Sequence, residues 1–300
     1  MKNKLFLLTL LTIALGSCQK EENTISTPAI SDGNFNRAST TTYTGIGSVP
    51  ATFTQKVLLE NFTGASYGKC PANDYAIMQL QSQYPDRVIT ASFHKNDRME
   101  TVSTSALLNF VSNGTVPNIP GMMVNRIVYN NKIINDQGTW STTVPSALSV
   151  SPNIGIALQS AVQNRVLTMT VHAGFNAAIT GNYKMCVYLI QNNEQHTGVG
   201  YDQANSFNAD ITSPFYNMGN PILNYTHNNV MKKLVTPING IAIPSSYQVT
   251  GGHMIQALSI DLPASLTLND TYIVTYVYDT GNLRVMNAQI ARIGAIKIWD

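Results

Sequence analysis

Charge is what this sequence has least of. Asp, Glu, Lys and Arg make up 11% of the 300 residues, well below the roughly 25% of an average soluble domain. Nucleic-acid recognition rests on many Lys and Arg contacts to phosphate, so that class of partner is excluded. The formal net charge is +2, and Lys2 and Lys4 lie in an N-terminal segment that reads as a removable signal, leaving 16 basic against 16 acidic residues. Cysteine is scarce as well, with Cys18, Cys70 and Cys186 as the complete set. A Cys70–Cys186 bridge would need Cα atoms within about 7 Å, and two free, buried thiols are the expectation. The five histidines, His94, His172, His196, His227 and His253, show no His-x-His or His-Glu-x-x-His spacing, so neither a metal nor another cofactor is expected. Nucleophile elbow, phosphate-binding loop and dinucleotide fingerprint are all missing, which removes the support for hydrolase, kinase and dehydrogenase readings.

Long apolar runs are also lacking. The longest near the start, Leu5 to Leu15, comes after a basic Met1–Lys4 and ends at Leu15-Gly16-Ser17-Cys18. Eleven residues fall short of the roughly 20 that span a bilayer as a helix, so residues 1–17 read as a secretion signal. The ending resembles the lipobox of bacterial lipoproteins, which implies acylation of Cys18 and a membrane partner reached through that anchor. Gln19-Lys20-Glu21-Glu22 looks like the Lys-then-acidic signal that sends Bacteroidetes lipoproteins to the outer face of the outer membrane. Asn23 to Ala51 is rich in Ser, Thr, Asn, Gly and Pro. Residues 18–52 therefore read as a flexible tether.

Beyond the tether the chain splits into two patterns. Residues 53–151 alternate strand and helix signals: strand at Val57–Phe62, helix from Pro71 to Tyr84, strand at Val88–Phe93, helix at Thr101–Val111. A hairpin over Gly121–Tyr129 and Lys132–Asn135 turns at Asn130-Asn131, and Trp140–Val150 closes the unit as a helix despite Pro145. This is an α/β pattern. Residues 152–300 carry period-two segments at Ile154–Val162, Val166–Ala173, Tyr183–Gln191, Val230–Val235, Met254–Asp261, Tyr272–Asp279 and Val285–Ile293, the signature of an all-β sandwich.

The motif with chemistry in it is Phe62-Thr63-Gly64-Ala65-Ser66-Tyr67-Gly68-Lys69-Cys70-Pro71, between the first strand and its helix. That is where a thioredoxin carries Cys-x-x-Cys. Val116-Pro117-Asn118-Ile119-Pro120 precedes the next strand, where thioredoxin-like folds place a cis proline. With the lipobox and Tyr225-Thr226-His227-Asn228-Asn229-Val230, the chain resembles the outer-membrane-protein-28-related lipoproteins of the Bacteroidetes over nearly all of its mature length. The resemblance implies a thioredoxin-like domain, a β-sandwich domain, a cis Pro120 and an outer-membrane location, with the face of that membrane left open. Many members read Cys-x-x-Cys-Pro; this chain has Tyr67 at the first cysteine, and a phenol cannot form a disulfide. Cys70 then matches the second, resolving cysteine. A shifted register would make it the leading residue of Cys70-Pro71-Ala72-Asn73, and a small buried thiol under the helix start is the plainest role.

Two functions stand as expectations. The first is a non-enzymatic surface lipoprotein with a redox-inactive scaffold, no catalytic residues and a binding or adhesion role toward a protein, peptide or glycan. The second is a thiol-dependent envelope oxidoreductase or peptide binder acting through Cys70 and the Pro120 groove. Asn192 to Tyr225 is a long connection holding Tyr201, Phe207, Phe215 and Tyr216. Such connections are often functional, and these four aromatics are the candidate recognition residues unless they fold inward. His227 is expected to be a structural hydrogen bonder.

Overall fold

A computed structural model describes residues 45–112 and 118–300. The signal 1–17, Cys18 and the tether up to residue 44 lie outside the described residues. Strand β1 (Val57–Thr63), helix α1 (Cys70–Gln83), β2 (Val88–His94), α2 (Val102–Ser112), β3 (Gly121–Val124) and α3 (Trp140–Leu148) come first. Each falls within a residue or two of its expected start. Pro71 occupies the first turn of α1, where its missing N–H leaves no hydrogen bond unmade. The hairpin after Gly121 is shorter than expected. Its first arm is a strand only to Val124, and the two arms meet in isolated bridges, Met122 with Asn135 and Tyr129 with Lys132. Its turn is as read: Asn130 and Asn131 have φ of 50° and 60°, the left-handed pair that a tight hairpin turn demands and that Asn tolerates.

The strand-only part runs through β4 (Ile154–Gln163), β5 (Val166–Phe175), β6 (Tyr183–Gln191), β7 (Val230–Leu234), β8 (Ile241–Ala242), β9 (His253–Asp261), β10 (Thr271–Asp279), β11 (Val285–Arg292) and β12 (Ile296–Lys297). β8 and β12 are two residues each, too short to show a period. The result is a mixed α/β protein with two sheets and few helices. The smaller sheet has the order β12-β4-β5-β9, and the larger is β11-β10-β6-β7-β2-β1-β3, with β8 on β6. The change of pattern lies between Leu148 and Ile154, next to the expected limit at 151/152, yet sheet pairing does not stop there. β7 adds in parallel to β2 through Ser92 and Val230, and the Ser92 N–H donates to the Asn229 carbonyl at 2.7 Å. One sheet thus serves residues from both segments.

Side-chain alternation assigns three cores. Val57 and Leu59 of β1 face α1 and α3 with Ile77, Trp140 and Val144. Leu58 and Phe62, from the other face of β1, meet Cys186 and Tyr188 of β6, Val274 and Tyr276 of β10, and Leu107 of α2. Met185, Val187 and Leu189 of β6 look the opposite way onto the smaller sheet, against Ile156, Val171 and Met169. The large sheet therefore folds back on itself, its two ends enclosing the middle core.

At the centre of that core lies an ion pair. Arg126, at the end of β3 in a left-handed conformation (φ 53°), donates from Nε and Nη2 to the two carboxylate oxygens of Glu60, both at 2.7 Å. Its Nη2 also reaches the Tyr276 hydroxyl at 2.6 Å, and the Tyr188 hydroxyl donates to Glu60 at 2.9 Å. Arg126 Nη1 is buried with no hydrogen-bond partner among the described residues. It sits among rings: Cζ is 5.0 Å from the Tyr276 centroid, 5.4 Å from Tyr278 and 5.7 Å from Phe110, so cation–π attraction stands in for the missing acceptor. Burial disfavours the charge, but Glu60 holds the guanidinium well above its ordinary value. Arg126→Met leaves Glu60 buried and unpaired, and is expected to lower unfolding free energy by about 3–5 kcal/mol. The double variant with Glu60→Leu should recover much of that loss in chemical denaturation.

A second, part-buried pair links β5 to β9. His172 Nδ1 and His253 Nε2 are 2.8 Å apart, beside Trp299. Burial, aided by His253, pushes His172 down to about 4, whereas the unfolded residue titrates near 6.5. Between those values the unfolded chain binds the extra proton, so stability falls as pH drops through the window. Thermal melts should show His172→Gln losing less stability than the parent between pH 7 and pH 5, by roughly 2 kcal/mol at most; equal losses would refute the assignment.

Candidate functional site

The sequence motif is built by three ends meeting at one edge of the large sheet. β1 delivers Thr63, α1 starts at Cys70, and Gly121 of β3 pairs with Phe62. The Ile119–Pro120 bond is cis, as the family resemblance implied. Tyr67 is half-buried and its hydroxyl accepts from Asn96 Nδ2. The turn closes through the Tyr67 N–H to the Gly64 carbonyl and the Cys70 N–H to the Tyr67 carbonyl.

Cys70 is fully buried and free. Burial, with a further push from Asp74, raises its thiol to about 12, and the Thr63 hydrogen bond offsets this only in part. At neutral pH that leaves a thiolate fraction on the order of 10⁻⁵, so the sulfur is a poor nucleophile. Cys186 is also free and buried in the middle core, where burial raises it to about 11.

The long connection between β6 and β7 covers this motif. Its backbone pairs with the motif backbone: Ala204 N–H donates to the Ala65 carbonyl at 2.7 Å and Ser206 N–H to the Gly68 carbonyl at 2.9 Å. Gln203 is fully buried, and its Nε2 lies 3.0–3.2 Å from the carbonyls of Ala65, Tyr67 and Ala204. Gly68 packs so closely on Ser206 that a Cβ would sit 2.2 Å from its Oγ. From below, Asp97 fixes the same turn. Its Oδ2 accepts from the Ala65 N–H at 2.8 Å and meets His94 Nδ1 at 2.6 Å, while Oδ1 accepts from the Met99 N–H. Burial works against ionisation of Asp97, but His94 and those N–H groups outweigh it and hold the carboxyl below its usual range.

A chain of polar groups runs from there toward the surface. The His94 and His227 rings meet edge to face at 5.2 Å, and Tyr225 lies 4.9 Å from His227. His227 is buried and bonded through Nε2 to the Tyr201 carbonyl at 2.8 Å, the structural role expected of it. Burial and His94 together push it down to about 4. The Tyr225 hydroxyl donates to Asp74 at 3.1 Å. Burial pushes the Asp74 carboxyl up to about 6, against the opposing effects of His94 and the Tyr225 hydroxyl. Asp74 opens onto a groove of about 690 Å³ between α1, the 225–229 segment and the near ends of β10 and β11.

The four candidate aromatics do not share one surface. Tyr201 packs on Ala65, Met99 and Val230. Phe215 turns inward to meet Tyr75 of α1 edge to face at 6.3 Å and lines the groove. Phe207 is half-buried 6.4 Å from Phe215, and Tyr216 stays half-exposed. Sequence reading missed Asp74, Tyr75 and Gln203, since no spacing rule links α1 to a segment 130 residues away, and Asp97, which reads as a solvated loop carboxylate, is instead buried against His94. The Gly64 and Gly68 pair was the one available hint of close backbone approach.

The fold and this closed motif define a mixed α/β protein whose thiol is enclosed by its own chain. A family model described as "Outer membrane protein Omp28" matches residues 109–297, and the chain belongs to that family, which makes it an outer-membrane-associated protein. Among solved structures it is similar to HBP35 of Porphyromonas gingivalis, with 18% identity, 82% of this chain and 78% of that chain covered, and a TM-score of 0.62; this likeness shows the fold alone. A domain of the outer membrane lipoprotein Omp28 from the same organism matches 48% of this chain and 89% of its own at 15% identity, with a TM-score of 0.31. An Agrobacterium tumefaciens protein matches 81% and 96% at 10% identity, with a TM-score of 0.45. The last two superpositions are too loose to carry an argument. Among curated proteins none matches the sequence. No helix of the described residues is long and apolar enough to cross a membrane.

Gln203→Ala removes a buried amide bonded to three carbonyls and should loosen the cover by about 1–3 kcal/mol, at roughly 0.5–1.5 kcal/mol net for each hydrogen bond. Hydrogen exchange at the Ala204 and Ser206 amides should then speed up roughly tenfold to a hundredfold, with strand β6 unchanged.

Proposed function

We propose that this protein is a lipid-anchored outer-membrane protein that binds a ligand without redox chemistry. Acylation at Cys18 provides the anchor in this reading, since each buried CH₂ contributes about 0.8 kcal/mol and several chains hold stably. Lys20-Glu21-Glu22 supports an orientation toward the cell exterior. The thioredoxin-like arrangement of β1, α1, β2 and the cis Pro120 serves as a scaffold, and the strands beyond Ile154 form a sandwich that shares its sheet.

The observation that carries this reading is the pairing of Ala204 and Ser206 with the motif backbone above a buried Cys70. A thiol-disulfide exchanger must present a thiolate to a client disulfide. Here Tyr67 stands at the position of the attacking sulfur, and the surviving sulfur is enclosed. The rival function through Cys70 and the Pro120 groove would require the 203–206 segment to leave.

The test is thiol reactivity. With iodoacetamide under native conditions, the full chain should leave Cys70 unmodified over hours, label it promptly after denaturation, and fail to catalyse insulin reduction by dithiothreitol. Rapid native alkylation of Cys70, or turnover of insulin, would overturn the proposal.

A further inference from the structure

A strand at the end of a sheet offers its unpaired N–H and C=O groups to any other strand unless something blocks it. The two sheets end in β11, β3, β12 and β9. Three of these edges are closed or too short to pair. β12 has two residues, β3 has four and is bridged to Asn135, and β11 is clasped by Thr54, Lys56 and Asn125. β9 differs: it is nine residues long, paired with β5 on one side and with no strand on the other among the described residues. Between His253 and Asp261 there is no Pro, Lys or Arg, and the register with β5 runs without a bulge. The usual guards of an edge are therefore missing.

Hydrogen bonds at the two ends of the β5–β9 ladder show which backbone groups are free. The Leu262 N–H donates to the Arg165 carbonyl at 2.8 Å and the Phe175 N–H to the Gly252 carbonyl at 2.9 Å. Bonded and unbonded partners alternate along an antiparallel ladder, so the even-numbered residues of β9 bond to β5. His253, Ile255, Ala257, Ser259 and Asp261 turn their N–H and C=O groups to the open edge. The one bond made there among the described residues is local, from Gln256 Nε2 to the Ala257 carbonyl at 2.9 Å. Ala257 and Ser259 have small side chains, 7% and 8% exposed, so nothing long projects from mid-strand to hold a second strand off.

This strand is complementary to itself. Turned antiparallel about Ala257, it sets His253 opposite Asp261 of the other copy, Ile255 opposite Ser259 and Met254 opposite Ile260. The exposed carboxylate of Asp261 thus gains an imidazole, and apolar residues gain apolar or small ones. All five edge residues fall on hydrogen-bonded pairs, which satisfy their N–H and C=O groups. The two-fold axis of such a pair stands perpendicular to the sheet, so the same face of both copies looks the same way. Val49 and Trp299 lie on Gly174, and Phe53 on Gly155, across the face turned away from the shared core. The N-terminal segments of both copies therefore lie on one side, as two chains anchored in one membrane require.

We propose that two copies of this chain pair antiparallel along β9, centred on Ala257, which joins their smaller sheets into one. The inference is independent of the reading of Cys70. It is tested by sedimentation velocity of the full chain in density-matched detergent, with micelles in large excess over protein. A dimer is expected at micromolar concentration. Ala257→Pro removes an N–H that only the second copy would use, and Ile255→Lys puts a charge on the edge. Each should raise the dissociation constant tenfold or more, with the far-ultraviolet circular dichroism unchanged. Oxidation tests the register. Ile255→Cys and Ser259→Cys combined in one chain should give a disulfide-linked dimer and either alone should not, because only the unlike positions face each other. The parent chain, oxidised in parallel, sets the background from its own cysteines. A parent that stays monomeric, leaving the edge to a strand of some other protein, would overturn the proposal. So would a dimer indifferent to both edge variants, or crosslinking through a single added cysteine above that background.

Discussion

The buried pairing of Arg126 with Glu60 fixes the relative placement of everything else. Apolar contacts between β1–β3 and β6–β10 hold the folded-back sheet closed, but hydrophobic attraction is non-directional and would accept several registers. The guanidinium does not. It must meet a carboxylate on β1 and hydroxyls on β6 and β10 at once, within hydrogen-bond distance. A misplaced register would strand a buried charge, which costs several kcal/mol. The backbone is bent to this end: Asn125 and Arg126 are both left-handed, a conformation Asn takes readily and Arg only at about 1–2 kcal/mol. Asn125 also receives the Leu58 N–H on its side chain and the Val285 N–H on its carbonyl, so the same turn clasps β1 and β11.

The cover over Cys70 is a consequence of that placement. β6 ends at Gln191 and β7 begins at Val230 beside β2. The connection between them must therefore cross the edge of the sheet where β1 ends and α1 begins. Its residues then satisfy the backbone groups that this edge exposes, as buried amides and carbonyls require. Asn205, buried and bonded to the Phe215 and Gly219 carbonyls, gives the connection a rigid interior of its own, so that it presses on the motif as a shaped body.

Much of this was legible in the sequence, and the reason is periodicity. The strands at Tyr183–Gln191 and Thr271–Asp279 sit where alternation put them because each is apolar toward two different cores, one residue after another. α1 was legible from Pro71 and the spacing of Ile77 and Leu80. The hidden part is long-range. Nothing local in Val230–Leu234 says that it pairs in parallel with β2, and nothing in Gln203 says that it will be buried against residues 64–67. The pairing of His94 with His227 and of His172 with His253 is hidden for the same reason: scattered histidines become neighbours only through the sheet register. The candidate binding residues were half-read, because an aromatic among polar residues has the same composition whether it faces solvent, as Tyr216 does, or packs inward, as Tyr201 and Phe215 do.

One connection therefore has two opposite effects on neighbouring chemistry. Where its backbone runs over Ala65 and Gly68 it removes water from Cys70, and loss of solvation raises the thiol until the thiolate is a trace species. Where it turns back at Phe215 and Tyr225 it meets α1 at Tyr75 and Asp74, and the groove left open beside these contacts keeps Asp74 in reach of solvent. Tyr67 is compatible with the first effect in a way that a cysteine is not. Its hydroxyl reaches Asn96 and its ring packs on Gly64, so the residue braces the turn that the cover bears on, whereas a thiol at that position is too short for either contact. Loss of the leading sulfur and closure of the cover are thus two parts of one arrangement, and the polar chemistry left within reach of a ligand is on the α1 side, in the groove.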